Sequence, residues 1–235
     1  SVKYLIGLAD DNAVEAVLMR HDYGLSLCVS SQVGCPMGCA FCASGIGGLV
    51  RDLTCGEIVD QLVAASGDAA ERFCGARISS LVVMGSGEPL LNYDNVIKFV
   101  RLANWSRGFA IGYRHITIST CGIVPGIVRL AGEGIPLTLS VSLHAPDDAT
   151  RSSIMKVNAA YPISTLVKAC NQYAQITGRR VTYEYALIAG VNDSQAHAER
   201  LAGLLRGTLC HVNLIPLNPV PETPYERPAS CVVEA

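Results

Sequence analysis

Cys35-Pro-Met-Gly-Cys39-Ala-Phe-Cys42 carries three thiols within eight residues, at the spacing Cys-x3-Cys-x2-Cys. A closed structural zinc site takes four ligands, and a [4Fe–4S] cube normally takes four cysteines. Three thiolates on one short loop would anchor a cube and leave one iron open to a substrate or cofactor. Zinc completed by a distant His or Cys is the alternative. The other seven cysteines (Cys28, Cys55, Cys74, Cys121, Cys170, Cys210 and Cys231) are scattered and do not form a secreted disulfide framework. That usage fits a reduced, cytoplasmic chain.

Other residues could contribute chemistry. Gly85-Ser-Gly-Glu-Pro89 reads as a turn by itself. Beside a cofactor, its glycines would let the backbone lie against a ligand while Glu88 accepts from an ammonium group. Ser142 and His144 sit two apart at the end of an apolar run, so on a strand they would share a face. No acid is placed to orient the histidine, which argues against a hydrolytic triad. Cys28 precedes the cysteine loop and reads equally as a small buried hydrophobe. Glu15 interrupts the apolar run Val14-Glu-Ala-Val-Leu-Met19, either as an outward residue of an alternating strand or for a functional reason.

These residues need a scaffold. Apolar runs alternate with helix-period segments, the pattern of βα units around a parallel sheet. Strands are expected at Leu25–Ser30, Ser79–Met84, His115–Ser119, Leu137–Ser142, Val181–Leu187 and His211–Ile215, with an extra strand at Glu15–Met19. Thr54 and Glu57 form a capping box ahead of Ile58, Val59, Leu62 and Val63. Further helices are expected over Tyr93–Ser106, along the stripe Leu166, Val167, Cys170, Tyr173 and Ala174 ending before Gly178, and at about Ser194–Leu205. Six such units suit a partial (β/α)6 barrel of α/β class. Residues 1–24 would then be a lead-in strand segment and 25–235 the core. In such folds ligands gather at the carboxyl ends of the strands. The cysteine loop, Gly85–Pro89, Ser119-Thr-Cys-Gly122, Ser142–His144 and Pro216-Leu-Asn218 all fall there.

Bulk composition excludes little. With 235 residues, 50% hydrophobic and 16% charged, a sizeable core is expected. No apolar run reaches the roughly 18 residues of a membrane span. The net charge of −2 gives no electrostatic footprint for nucleic acid. Arg101, Arg107, Arg114 with His115, and Arg179-Arg180 read as solvated ends of elements. Both ends look cut: the chain begins at Ser1, and Ser230 reads as the N-cap of a helix just starting, so a fragment is expected.

Phe41 inside the cysteine motif, followed one βα unit later by Gly87-Glu88-Pro89, resembles the radical S-adenosylmethionine superfamily. Cys28-Val-Ser-Ser-Gln-Val-Gly-Cys35, Met84-Gly-Ser-Gly-Glu-Pro-Leu90, Ile118-Ser-Thr-Cys-Gly-Ile123, Ser140-Val-Ser-Leu-His-Ala-Pro146 and Asn213-Leu-Ile-Pro-Leu-Asn218 resemble, more narrowly, the methyltransferases acting on adenine C2 of 23S rRNA and tRNA. The resemblance implies a [4Fe–4S] cluster on Cys35, Cys39 and Cys42, and S-adenosyl-L-methionine held by Gly87, Glu88, Ser119, Ser142, Leu143, His144 and Asn218. Reductive cleavage would give a 5′-deoxyadenosyl radical. It implies that Glu15 removes the C2 proton and that Cys28 resolves a protein–RNA adduct through a disulfide. Partners implied are the two RNAs and an electron donor such as flavodoxin or ferredoxin, with the enzyme a monomer away from membranes. In the family the methyl-accepting cysteine lies beyond the Asn218 motif, past Ala235, and a small N-terminal RNA-contacting domain precedes the core. The chain alone is therefore expected to bind cluster and cofactor without completing transfer. Cys121 stands where the family usually has serine. Alternatives are C8 methylation of the same rRNA adenine, glycyl-radical activation, methylthio transfer, or a non-catalytic RNA- or metal-binding relic.

Overall fold

The computed structural model describes residues 1–234, and their contacts divide into two compact units. The first comprises Ser1–Pro36, Gly47–Ser119 and Pro136–Thr138; the second comprises Met37–Ile46, Thr120–Ile135 and the chain from Leu139 onward.

In the first unit, β1 (Val2–Gly7) and β2 (Ala13–His21) form an antiparallel hairpin, and β2 continues antiparallel to β3 (Gly24–Val29). Val2, Tyr4 and Ile6 alternate with more exposed neighbours, the period-2 pattern of a half-buried strand. A short hairpin of β4 (Gln32–Gly34) and β5 (Leu49–Asp52) follows. α1 (Cys55–Arg72) begins at Thr54, whose hydroxyl accepts from the Glu57 N–H at 3.2 Å while the Glu57 carboxylate accepts from the Thr54 N–H at 2.8 Å. The expected capping box is formed. β6 (Ile78–Val83), α2 (Tyr93–Asn104) and β7 (Ile116–Thr120) complete this unit, with β3, β6 and β7 parallel neighbours. Leu27, Val29, Leu62, Leu81, Val83, Phe99 and Ile118 are its buried core.

The second unit contains α3 (Val124–Gly132), β8 (Thr138–Ser142), α4 (Asp148–Ile154), α5 (Ile163–Thr177), β9 (Val181–Leu187), α6 (Gln195–Leu205), β10 (Cys210–Pro216) and the short α7 (Ser230–Val233). β9 pairs in parallel with β8 on one side and with β10 on the other. α5 buries Leu166, Val167, Cys170 and Tyr173, and stops at Gly178 with φ +65°, a left-handed cap that glycine adopts without a Cβ penalty. Ser194 caps α6 by accepting from the His197 N–H.

The α/β class with a mostly parallel sheet is as expected, and each of the seven expected strands is present. Three details differ. The expected strand at His115 starts at Ile116, because Tyr113–His115 is a 3-10 turn. Ser230 is the first residue of α7, and Ala229 takes the cap position. β1, β4, β5, α3 and α4 were not anticipated. Among the described residues no helix is long and apolar enough to cross a membrane.

Candidate functional site

In the first unit, the carboxyl ends of β3 and β6 are laced together. The Gly85 N–H donates to the Val29 carbonyl at 3.0 Å, and the Ser86 carbonyl accepts from Ser31 N–H at 2.9 Å and Gln32 N–H at 3.1 Å. A Cβ on Gly85 would lie 2.6 Å from Ser30 Oγ, and one on Gly87 (φ +107°) would lie 2.6 Å from Gln32 Cβ. These glycines permit close approach of the loop to the chain's own Ser30–Gln32 segment, where the sequence had pointed to close approach of a ligand. The Glu88 N–H donates to Gln32 Oε1 at 2.8 Å, and Glu88 Oε1 accepts from the Leu90 N–H at 3.0 Å. Glu88 is buried, a carboxylate placed under a loop rather than in solvent.

Two further amides hold this segment. Gln61, fully buried on α1, accepts from the Ser30 N–H at 2.8 Å and donates to the Ser30 carbonyl at 3.0 Å. Asn92 donates to the carbonyls of Ser31 at 2.8 Å and Leu53 at 2.7 Å. Buried backbone groups must find partners, and these amides supply them to a segment that leaves its strand. Sequence reading missed Gln61 and Asn92, because their partners are 31 to 61 residues distant. The Ser31 hydroxyl is buried with no hydrogen-bond partner among the described residues.

Glu15 points outward from β2 and pairs with Lys3 Nζ at 2.6 Å, diagonally across the β1–β2 hairpin. Cys28 on β3 is half-buried, and burial pushes its thiol above the usual range, with a hydrogen bond from the Met84 backbone opposing weakly. Ser119 is buried in β7. Cys35, at the start of the loop, donates its N–H to the Gly48 carbonyl at 2.9 Å.

In the second unit, Cys39 and Cys42 lie on a tight turn, the Cys42 N–H donating to the Cys39 carbonyl at 3.1 Å. The Ala40 N–H is held by the Ile154 carbonyl at 2.9 Å, and Cys39 Sγ stands 3.9 Å from Cys121 Sγ. Phe41 meets the His144 ring edge-on, with centroids 5.0 Å apart. β8 ends at Ser142 and His144 adopts φ +57°, so Ser142 and His144 do not share a strand face. His144 Nδ1 accepts from the Ala186 N–H at 2.8 Å. Burial, with Arg151 adding to it, holds its pKa down to about 3. The imidazole is therefore neutral, with its proton on Nε2. Leu143 is fully buried; Asn218 is exposed beyond β10. Glu184, which sequence reading also missed, is a buried carboxylate accepting from Ser140 Oγ at 2.6 Å and Asn213 Nδ2 at 2.7 Å.

Residues 29–202 match the model of the radical SAM superfamily. The chain belongs to that superfamily. Within it, the chain is 57% identical over its whole length to a probable dual-specificity RNA methyltransferase RlmN of Pelotomaculum thermopropionicum, spanning 62% of that relative. It is 52% identical over 97% of its length to the RlmN-named protein of Desulforudis audaxviator, spanning 70% of it. A crystal structure of a radical SAM methyltransferase from Sphaerobacter thermophilus superposes with a TM-score of 0.96 at 51% identity, covering 99% of this chain and 67% of that one. The radical SAM domain is thus of the RlmN methyltransferase type, and the chain spans a little over 60% of the length of the first of these relatives.

A family cluster would draw on the donor set of the cysteine loop. None of its three thiols is in a disulfide and all three are half-buried, a sulfur-only donor set that fits soft thiolate ligation. Among the described residues no three His, Cys, Asp or Glu side chains converge at the spacing of a single metal ion. One expectation is corrected: no two cysteines among the described residues form a disulfide, so the disulfide expected of Cys28 has no counterpart there, and burial keeps that thiol protonated.

Proposed function

We propose that this chain is the catalytic core of an RNA methyltransferase that modifies carbon 2 of adenine in 23S rRNA and tRNA. The supporting observation is the 57% identity across all 235 residues to a relative named a dual-specificity RNA methyltransferase. In this reading Cys35, Cys39 and Cys42 would hold a [4Fe–4S] cluster, and Gly87, Glu88, Ser119, Ser142, Leu143, His144 and Asn218 are the residues that would hold S-adenosylmethionine. When bound, a cluster there would supply the low-potential electron for reductive cleavage of S-adenosylmethionine. Glu88 offers a carboxylate to the cofactor ammonium, already oriented by the Leu90 N–H. His144 cannot take a proton at neutral pH, so its part is to shape the loop and present Nε2–H. Glu15 is the carboxylate for the C2 proton, which requires it to leave Lys3 when RNA arrives. A flavodoxin- or ferredoxin-type donor, a monomeric state and a cytoplasmic setting complete the reading.

Anaerobic reconstitution tests it. Iron and sulfide should load in the ratio of a cube, and Cys39→Ala should lose them. Adenine methylated at C2 should appear by mass spectrometry when the full-length protein is given 23S rRNA or tRNA, reductant and S-adenosylmethionine. Zinc without sulfide, or full loading of Cys39→Ala, overturns the proposal.

A further inference from the structure

Among the described residues Arg151 is the bulkiest fully buried side chain. It lies on α4, and every hydrogen bond it makes goes to a neutral oxygen. Nε donates to the Leu143 carbonyl at 3.1 Å, Nη1 to Asn158 Oδ1 at 3.0 Å and the Tyr161 carbonyl at 3.4 Å, and Nη2 to the carbonyls of Cys121 at 2.7 Å and Ser142 at 3.1 Å. A guanidinium stays charged, and a buried cation is seldom left without a counter-charge.

The same helix holds the cysteine loop. The Ile154 carbonyl of α4 takes the Ala40 N–H, and Cys121, whose carbonyl Arg151 binds, has its sulfur 3.9 Å from that of Cys39. Gly122 leaves room for this arrangement, since a Cβ there would lie 3.4 Å from Nη2 and 3.0 Å from Leu166. We propose that Arg151 is a positioning residue for the Cys39 side of the cluster site, and that its buried cation raises the one-electron reduction potential of the cluster held there. The inference rests on the cluster ligation argued above. Reduction adds one negative charge beside a fixed positive one, and at low dielectric that attraction is not screened away. Lys156 also approaches the loop, its Nζ 3.8 Å from where a Gly38 Cβ would be, but it is exposed and its field is damped by water and salt.

The test uses reconstituted protein whose iron, sulfide and visible spectrum are first shown to match a [4Fe–4S] cluster; failure at that stage sinks the ligation and not the role of Arg151. Potentials are then read by poising with a low-potential viologen reductant and counting reduced cluster by electron paramagnetic resonance. Arg151→Gln should lower the ratio of reduced to oxidised cluster about tenfold at a fixed potential, a shift of ~59 mV for one electron. Arg151→Lys keeps the charge while losing the five-bond clamp, so its potential should stay near that of the unmodified protein even as its melting temperature falls. Equal shifts in the two variants, or none in Arg151→Gln, overturn the charge role. If Arg151→Gln does not fold, Asn158→Asp decides: it sets a carboxylate at the 3.0 Å contact with Nη1 and should lower the potential in the same direction. An unchanged potential in Asn158→Asp overturns the proposal.

Discussion

His144 Nδ1 accepts the Ala186 N–H at 2.8 Å, and that bond fixes both the tautomer and the charge of the ring. A protonated imidazole has no lone pair at Nδ1 to offer. Charging the ring would cost the bond as well as its desolvation.

Stability should therefore depend on acid in a defined window. The folded pKa, about 3, lies below the unfolded value near 6.5. The stabilising contribution is present above the unfolded pKa and is lost as pH falls toward the folded one. Urea midpoints of the unmodified chain should drop between pH 6.5 and 4 more steeply than those of His144→Asn, which removes the titrating ring. Asn tolerates the left-handed φ of +57° better than Ala does, so His144→Ala should be the less stable of the two at pH 7. Parallel pH profiles for the unmodified chain and His144→Asn would refute the assignment.

Gly87→Ala should be severe. Its new Cβ meets Gln32 Cβ at 2.6 Å and the Gln32 backbone N at 2.8 Å, at a φ of +107° that L-residues avoid. A loss of about 3 kcal/mol or failure to fold is expected, a strain-and-clash effect at the top of the usual range. Gly67→Ala on α1, where a Cβ meets nothing within 4 Å, should instead stabilise by about 0.5–1 kcal/mol. Denaturant titration of the pair reads both signs.

Gln61→Leu keeps the volume and removes the amide. It strands the Ser30 N–H and reduces the partners of its carbonyl, both in the buried interior. The cost should be about 2–4 kcal/mol, from about 1–3 kcal/mol for each unsatisfied group. Hydrogen exchange should rise first at Ser30, Ser31 and Gln32. Protection unchanged at those amides would mean the segment is held by other contacts.

Thiol reactivity gives a quicker check. Cys28 is half-buried with its thiol held protonated, whereas Cys74 and Cys231 are exposed. Iodoacetamide at pH 7 should label Cys74 and Cys231 well before Cys28, since the thiolate is the nucleophile. Cys28 labelled first, by mass spectrometry of digests, would show an activated thiol that this geometry does not contain.

Val181–Leu187 was legible from its β-branched and aromatic residues, a parallel strand buried on both faces, and Ile78–Val83 from its Leu81-Val82-Val83 end, although Ser79 is exposed. α1 and α5 were legible from their ends, the Thr54–Glu57 box and Gly178. α3 was not, because Pro125 and Gly126 read as breakers, although proline is well placed in a first helical turn and Gly126 is buried by packing. β4 and β5 are too short, at three and four residues, to show a period. The cysteine loop and the glycine loop were legible as motifs. Arg151, Gln61 and Asn92 were not, since each is an ordinary polar residue whose role lies in partners contributed by other elements. The shared strand face expected for Ser142 and His144 failed because one residue with positive φ ends the alternation.

The stem below the cysteines has a consequence for how the protein matures. β4 and β5 pair Gly34 with Leu49, and the Gly48 carbonyl takes the Cys35 N–H, so residues 35–48 leave and re-enter at one fixed point. Closing a loop of this length costs entropy that grows only as the logarithm of its size, and backbone pairing at its base has already met that cost. Metal is then not needed to draw the ends together. On the proposed reading, loading of a cluster would then be a late event on a folded acceptor, reversible without passage through the unfolded chain.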